Sequence, residues 1–365
     1  KKKMGWQKLL STALCFLLAL PGFFSYTLLN PGPLPNVKAA VIVPGFLTGG
    51  PEFKPLVDEL QRRGIPCAAV PMPNWHWIPC LGGRSVRPLL ERIDHTVRHV
   101  AAAAGEELPI NLEEVIPDFE YSIFDCWKDF QDNPGGVLEV GGSAEVDQYD
   151  PTITPRGSFP AADLPKGRIA LIGHSAGGWM ARAYLSDRNY GGRSYSGSQF
   201  VHSLVTLGSP HGDAPGAAFR GVEWVNREGV PPSVRGLAVA GTGFKGNDSG
   251  QLTKNAYSFC CPDGSDGTGY EGDGVTPVFS ALAWDGAEKL LLDGKVTHFP
   301  WSDVFGGDIF APDLAKDHKE QGTPWYGSRE ALDQWLGWLG QEQPRDSEKE
   351  MDTLAGRFQR MFSSQ

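Results

Sequence analysis

Residues 168–179, RIALIGHSAGGW, decide the fold. The run RIALI is short, apolar and rich in residues that fill buried strands. Gly173-His174-Ser175-Ala176-Gly177 follows directly, matches the pattern G-x-S-x-G and opens a helical pattern that continues to residue 186. A strand, a tight turn at serine and a helix together form the context that a nucleophile elbow requires. We therefore predict that Ser175 is an attacking nucleophile rather than part of an inert glycine-rich turn.

Apolar runs and helical patterns alternate on both sides of this stretch. Strands are predicted at 38–44, 65–70, 168–172 and 200–207, with weaker candidates at 237–240 and 295–298. Helices are predicted at 52–63, 86–103, 176–186 and 330–339. This alternation predicts an α/β class, with a mostly parallel, doubly wound sheet covered by helices on both faces. Ligands of such sheets bind where the strands end, so the chemistry is expected just after each strand.

Two long stretches, at about 105–166 and 212–272, interrupt the alternation and are rich in loop-forming residues. We interpret them as insertions that form a lid or cap, because long irregular segments in compact enzymes usually have a functional role. The predicted domain spans residues 36–340, and a charged tail follows at 341–365.

Residues 1–35 have the composition of a targeting segment. Four lysines precede an apolar run of 16 residues at 9–24, and three prolines follow at positions 31, 33 and 35. A positive flank before an apolar run is typical of a signal peptide or a signal anchor. The run is shorter than the roughly 20 residues that span a bilayer, and extension to Leu29 would reach that length. Cleavage and retention as a membrane anchor both stay open, so the segment predicts a protein of the secretory pathway or one associated with a membrane.

Composition excludes several classes of function. The chain has 33 basic and 43 acidic residues, a net charge of −10, and this balance argues against a nucleic-acid partner. Its six cysteines include no C-x-x-C pair, so a zinc or thioredoxin-like site is not expected. Neither a metal nor a cofactor is predicted. Cys15 lies in the apolar run, and the other five are either buried thiols or form one or two disulfides.

A serine nucleophile needs a base, and four histidines follow Ser175. His298 ends the strand-like segment KVTHF, which is where the base of this arrangement belongs, so we predict His298. His318 is the alternative, although its charged segment is typical of a solvated surface. His202 lies inside an apolar strand, and His211 follows a strand, where it is predicted to line the substrate pocket.

The acid is predicted to be Asp273, in the segment GDGVTP at 272–277. Flanking glycines allow the loop to approach the imidazole closely, and the order serine, aspartate, histidine is typical of this arrangement. Five other aspartates remain as alternatives in looser or less suitable settings: Asp248, Asp263, Asp266, Asp285 and Asp293.

Acyl chemistry also needs hydrogen-bond donors for the developing oxyanion. One predicted donor is the backbone amide of Ala176. The other is the amide of Phe46 in the loop after the first strand, with the Leu47 amide as second choice. Trp179, together with His211, is predicted to contact the substrate.

Five motifs carry a resemblance to a known superfamily: Gly45-Phe46, LIGHSAGGW at 171–179, LGSPH at 207–211, GDGVTP at 272–277 and PWYGS at 324–328. Over residues 37–339 the chain resembles lipase-like α/β-hydrolases of the plant, algal and cyanobacterial type. The acid-loop motif also resembles lecithin–cholesterol-acyltransferase-like lipases and, more distantly, GPI-inositol-deacylase-like enzymes. The resemblance implies an α/β-hydrolase fold and the hydrolysis of esters or lipids. Since plant members are often plastid-directed, it makes the plastid an alternative location.

Three functions are compatible with these residues. The first is hydrolysis of carboxylic esters, namely lipid or other apolar acyl esters, through a Ser175–Asp273–His298 triad and an acyl-enzyme. The second is acyl transfer on the same residues, in which an alcohol takes the place of water. The third is a non-catalytic ligand receptor on a hydrolase fold.

Overall fold

The computed structural model describes residues 37–77, 86–106, 169–190, 194–246, 256–299 and 321–340. The predicted targeting segment at 1–35, nearly all of the insertion at 105–166 and the tail at 341–365 lie outside the described residues. The same holds for His318, the alternative base.

Within these described ranges, six strands form the central sheet and two short strands pair beside it. In chain order the strands are β1 (Ala39–Val43), β2 (Cys67–Ala69), β3 (Ile169–His174), β4 (Val201–Leu207), β5 (Arg235–Thr242), β6 (Phe244–Lys245), β7 (Glu271–Gly272) and β8 (Glu288–Lys295). The sheet order is β2-β1-β3-β4-β5-β8, and every neighbouring pair is parallel. Strands β6 and β7 form an antiparallel pair.

Six helices with both ends among the described residues accompany these strands, and residues 256–259 are also helical. The six helices are α1 (Lys54–Arg62), α2 (Arg87–Glu106), α3 (Ala176–Leu185), α4 (Arg220–Glu228), α5 (Val278–Ala281) and α6 (Arg329–Trp335). Single turns of 3₁₀ helix occur at Pro51–Phe53, Asn74–Trp77, Gly197–Gln199, Ala217–Phe219 and Leu336–Gly340.

The sheet separates two apolar cores, which explains the continuous apolar strands. Along β1, Val41 packs with the side chains of α2, α3 and α4, whereas its neighbour Ile42 packs with those of α1 and α6. Successive side chains of a strand point to opposite faces. A strand covered on both faces therefore needs apolar residues at every position, and β1 is buried throughout. This arrangement confirms the predicted α/β class with a mostly parallel, doubly wound sheet.

Two predictions of secondary structure need correction. The range 212–272 was predicted as one insertion with a weak strand candidate at 237–240. It contains α4 and β5, and β5 includes that candidate and pairs with β4 and β8 inside the sheet. The alternation therefore continues to Thr242. The candidate strand at 295–298 is also wrong, because β8 ends at Lys295 and His298 lies in the loop beyond it. Most of β8 is solvent-exposed, so its sequence, EKLLLDGK, lacks the apolar run of a central strand.

Three described cysteines, Cys67, Cys260 and Cys261, are buried free thiols. Burial raises the pKa of the Cys67 and Cys260 thiols to about 12, so both behave as small apolar side chains. Cys80 and Cys126 lie outside the described residues. Within the part of the chain that the structure describes, no helix has the length and apolarity needed to cross a membrane.

Candidate active site

Ser175 occupies the turn between β3 and α3 in a constrained backbone conformation. Its φ is 52° and its ψ is −132°, in a region that non-glycine residues rarely adopt. Such a conformation costs on the order of 1–3 kcal/mol and persists only when its surroundings impose it. Here the Ser175 amide donates to the Leu207 carbonyl at 2.9 Å, and the Gly178 amide donates to the Ser175 carbonyl at 3.0 Å. This is the geometry of a nucleophile elbow.

Close backbone contacts explain two glycines around this turn. A Cβ on Gly177 would collide with the carbonyl oxygens of Val43 and Pro44, at the end of β1. A Cβ on Gly45 would lie 2.7 Å from the Cβ of Ser175. The elbow and the loop after β1 are therefore in direct contact, which requires residues without side chains on both segments.

Asp273 is fully buried in the loop after β7, and its carboxylate accepts four hydrogen bonds. Its Oδ1 accepts from the amides of Val275 and Thr276 at 2.9 and 2.8 Å. Its Oδ2 lies 2.7 Å from His298 Nδ1 and accepts from the Tyr326 hydroxyl at 2.7 Å. Burial by itself raises the pKa of Asp273, but the neighbouring His298 and these hydrogen bonds outweigh it, so that the net pKa is lowered. The group is therefore ionised at neutral pH.

His298 is held by contacts to its ring and to its backbone. Its amide donates to the Asp273 carbonyl at 3.0 Å, and its own carbonyl lies 2.7 Å from His174 Nε2. The rings of His174 and His298 are 4.6 Å apart, measured between centroids. Because His174 directly precedes Ser175, this packing brings the His298 ring to the neighbourhood of the elbow. With Nδ1 donating to the carboxylate, Nε2 is the nitrogen left to accept a proton.

His174 is a neutral hydrogen-bond donor. Its side chain is 1% exposed, and burial, reinforced by repulsion from His298, lowers its pKa to about 3. Since a carbonyl oxygen can only accept, the proton of the neutral ring is assigned to Nε2, which donates to His298. His174 thus connects the elbow to the loop that carries His298.

The loop after β1 forms a tight turn beside the elbow. The Thr48 amide and hydroxyl both donate to the Gly45 carbonyl, at 3.0 and 2.7 Å, and Leu47 has a φ of 57°. Among the described residues, no acceptor is found for the amides of Phe46, Leu47 or Ala176. Their role as oxyanion donors stays a prediction.

The structure places Trp179 and His211 inside packed surroundings. Trp179 is 3% exposed and covers Gly221 of α4. His211 is fully buried, accepts at Nδ1 from Arg182 at 3.1 Å and donates from Nε2 to the Thr206 hydroxyl at 2.9 Å. Burial and the Arg182 charge lower the pKa of His211 well below its usual value, so it stays neutral.

His211 also lines a cavity of about 920 Å³, together with Arg182 and Trp284. Val234, Arg235 and Glu288 line the same cavity, and they lie at the amino ends of β5 and β8. The catalytic candidates lie at the carboxyl ends of the strands. Substrate contact by Trp179 and His211 stays a prediction, and their positions favour a packing role.

Two side chains of the site were missed by sequence reasoning. Tyr326 belongs to the PWYGS motif, but nothing in its spacing assigns its hydroxyl to Asp273, which is 53 residues away. His174 occupies the variable position of G-x-S-x-G, where the pattern demands no particular residue. The acid and the base, in contrast, were predicted as the pair that the structure brings into hydrogen-bond contact.

The fold and the elbow together define the α/β-hydrolase class, and thereby indicate a hydrolase. A family model described as a PGAP1-like alpha/beta domain matches residues 158–222, a range that includes β3, the elbow, α3 and β4. No curated protein and no solved structure matches the chain. The similarity to that family therefore concerns the stretch that carries the elbow, and the lipase-like subtype stays a resemblance of sequence motifs.

Proposed function

We propose that this protein is a serine hydrolase that cleaves carboxylic esters, with Ser175 as nucleophile, His298 as general base and Asp273 as the acid that orients it. The observation that carries the proposal is the buried Asp273–His298 hydrogen bond of 2.7 Å. The imidazole of His298 packs against His174, the residue that precedes Ser175. Serine is a weak nucleophile that becomes reactive when an oriented base accepts its proton.

The proposed cycle has two halves. His298 Nε2 accepts the Ser175 hydroxyl proton as the oxygen attacks the ester carbonyl carbon, and Asp273 stabilises the imidazolium. The alcohol then leaves with the proton from His298, which gives an acyl-enzyme. Water attacks this ester by the same route, releases the carboxylic acid and restores the serine.

The developing oxyanion would accept hydrogen bonds from the amides of Ala176 and Phe46, with the Leu47 amide as second choice. The support for this assignment is that Gly45 and Ser175 are in contact, so both amides belong to segments that meet at the nucleophile. Removal of one such donor typically costs about 3–4 kcal/mol of transition-state stabilisation.

An apolar acyl group is the proposed substrate feature. Phe299 directly follows His298, its ring lies 5.1 Å from the imidazole, and it packs with Phe244 and Val275. Phe46, beside the elbow, packs edge-on against Trp77 at 5.9 Å. Apolar walls with a few polar groups are typical of small-molecule sites and favour esters of fatty or other apolar acids.

Labelling with a fluorophosphonate probe tests the nucleophile. We expect the wild-type protein to be labelled and to hydrolyse p-nitrophenyl esters, and Ser175→Ala to lose both properties while its thermal unfolding stays cooperative. Ser198→Ala is the matched control, because Ser198 lies in the turn before β4, at the other end of the strands. Labelling of Ser175→Ala at the wild-type rate would refute the proposal. If the wild-type protein is active, a panel of esters with different acyl chain lengths defines its substrate class.

We also propose that residues 1–35 direct the chain into the secretory pathway, either as a cleaved signal peptide or as an anchor that holds it at a membrane. The support is the lysine flank and the apolar run at 9–24. Mass analysis of the mature N-terminus, combined with membrane fractionation, separates the two fates, and accumulation in a plastid would favour the alternative location.

A further inference from the structure

The Asp273 carboxylate has an unusual second donor at the oxygen that faces the imidazole. His298 Nδ1 and the Tyr326 hydroxyl both lie 2.7 Å from Oδ2. Tyr326 precedes α6 and is fully buried. A side chain that only filled space would not need to direct its hydroxyl at the same oxygen.

The direction of the Tyr326 hydroxyl proton follows from its other contacts. The Gly241 amide donates to the Tyr326 oxygen at 2.7 Å, so the single hydroxyl proton is left for Asp273. The Trp335 indole donates to the Tyr326 carbonyl at 3.1 Å, which ties the residue to α6. Burial and the Asp273 charge hold the pKa of Tyr326 well above its usual value, so it remains a donor at any working pH.

Glycine backbone closes the space around this contact. A Cβ on Gly208 would lie 2.7 Å from the Tyr326 hydroxyl oxygen, and a Cβ on Gly241 would lie 3.0 Å from it. The loss of one oxygen atom here leaves a space smaller than a water molecule occupies. Removal of the hydroxyl would therefore leave the Asp273 oxygen with one donor fewer instead of exchanging that donor for water.

We propose that Tyr326 is a positioning residue of the active site, whose hydroxyl fixes the plane of the Asp273 carboxylate and moderates its hold on the His298 imidazolium. This inference rests on the proposed function, because it concerns the same serine, base and acid. When two donors share the negative charge of one oxygen, the hydrogen bond from each donor is weaker than the bond from a single donor would be. Tyr326 thus keeps the base weak enough to release its proton to the leaving alcohol.

Three other described titratable groups interact with Asp273, and all three are neutral at neutral pH. Burial lowers the pKa of His174 to about 3 and raises the pKa of Cys260 to about 12. Burial also raises the pKa of Tyr257, whose hydroxyl accepts from the Gly274 amide at 3.0 Å. Within the described residues, a change in the pH profile after loss of the Tyr326 hydroxyl would therefore report on the Asp273–His298 pair.

The test compares Tyr326→Phe with Tyr257→Phe. The second substitution also removes a buried hydroxyl, but that hydroxyl contacts the backbone amide of Gly274 instead of the Asp273 carboxylate. For Tyr326→Phe we expect the acid limb of the kcat/KM profile to move up by about 0.5–1 pH unit. KM should change less than about twofold, because Tyr326 acts through Asp273 rather than on the substrate. Tyr257→Phe should lose stability while its acid limb stays in place.

A proton NMR spectrum provides a readout that does not depend on turnover. The proton between His298 Nδ1 and Asp273 should resonate far downfield in the wild type and further downfield in Tyr326→Phe, because the remaining hydrogen bond becomes stronger. If Tyr326→Phe does not fold, Tyr326→3,5-difluorotyrosine keeps a more acidic hydroxyl and should move both readouts in the opposite direction.

The outcomes separate the two proposals. An unmoved acid limb and an unmoved resonance in Tyr326→Phe, with Ser175 still labelled by the fluorophosphonate, would overturn the role of Tyr326 alone. A wild-type protein that the probe does not label at Ser175 would overturn the proposed function, and the resonance would still decide whether Tyr326 controls the Asp273–His298 pair.

Discussion

Ser175 and Leu47 are two of the three non-glycine residues with positive φ in the described structure. They lie on the two segments that meet at the elbow, one after β1 and the other after β3. Strained backbone conformations concentrate at functional sites because the surrounding structure must hold them in place. The strain at Ser175 is offset by its hydrogen bond to Leu207 and by the packing of β3 side chains into the apolar cores on both faces of the sheet.

The contact between Gly45 and Ser175 leads to a prediction at single-residue scale. A methyl group in Gly45→Ala would lie 2.7 Å from the Ser175 Cβ, so the loop has to shift away from the nucleophile. A displacement of about 1 Å typically reduces the rate on the order of 100-fold. We expect kcat for p-nitrophenyl esters to fall about 10- to 100-fold, with KM less affected.

The control for this substitution is Gly337→Ala, at an exposed position where no atom lies within 4 Å of the added methyl. It should retain wild-type kcat. Equal effects of the two substitutions would contradict a direct contact between the loop and the nucleophile.

Asp273→Asn should separate the catalytic role of the carboxylate from its stabilising role. An amide in its place favours the wrong tautomer of His298, and we expect kcat to fall roughly 10³- to 10⁴-fold. The pKa of Asp273 is lowered in the folded protein. Its ionised form therefore stabilises the fold at pH values above the ordinary aspartate pKa of about 3.9. This stabilisation is lost as the pH falls through the pKa of Asp273 in the folded protein.

The difference in melting temperature between wild type and Asp273→Asn should accordingly be largest near neutral pH and narrow below about pH 4. Differential scanning calorimetry from pH 3 to 8 measures it. A difference that widened on acidification would show that the carboxylate is protonated in the folded protein.

At the scale of elements, burial on both faces decides which strands the sequence reveals. β1, β3 and β4 pack between two helical layers, so each is a continuous apolar run that was predicted within two residues of its observed ends. β8 pairs with β5 and with no other strand of the described residues, and it exposes most of its side chains. Its charged residues conceal it in the sequence, and the predicted strand at 295–298 was displaced toward the apolar residues that follow.

The active site likewise contains residues that a local sequence pattern reveals and contacts that depend on the packing of distant elements. Asp273 and His298 were predictable because flexible glycine loops and strand ends are where sheets of this kind place their chemistry. The Tyr326 contact depends on how α6 docks beneath β5 and β8, which no local pattern encodes. The contact between His211 and Arg182, 29 residues earlier in the chain, is likewise one that no local pattern encodes.

Helix α6 yields a prediction at this scale. Trp335 is fully buried in the core on the α1 side of the sheet, and its indole donates to Tyr326. Trp335→Ala should reduce the free energy of unfolding by about 3–5 kcal/mol, as is typical of large aromatic truncations. Urea denaturation measures the loss, and Glu330→Ala, at an exposed position of the same helix, should change stability by less than about 0.5 kcal/mol.

For the whole molecule, buried neutral histidines predict sensitivity to mild acid. Burial lowers the pKa of His174 in the folded protein to about 3, from the ordinary histidine value of 6.5. Between these two pH values the unfolded chain binds a proton that the folded chain does not. Stability contributed by neutral His174 is complete above pH 6.5 and falls on acidification by at most about 1.4 kcal/mol per pH unit.

His174→Gln keeps a donor for the His298 carbonyl but cannot titrate. We expect its free energy of unfolding to fall less steeply than that of the wild type between pH 6.5 and 4.5, as measured by urea denaturation at each pH. Identical slopes for the two proteins would mean that His174 is not the group that binds the proton on unfolding.

Among the described residues, β2 and β8 are the outermost strands of the sheet, and they bear on how the molecule behaves at high concentration. An open strand edge offers unpaired amides and carbonyls to other chains, and proteins limit this hazard with short or charged outer strands. β2 has three residues, and β8 carries Glu288, Lys289 and Asp293. Both borders thus resist recruitment of a neighbouring molecule into a growing intermolecular sheet, which protects a protein whose central strands are otherwise apolar enough to aggregate.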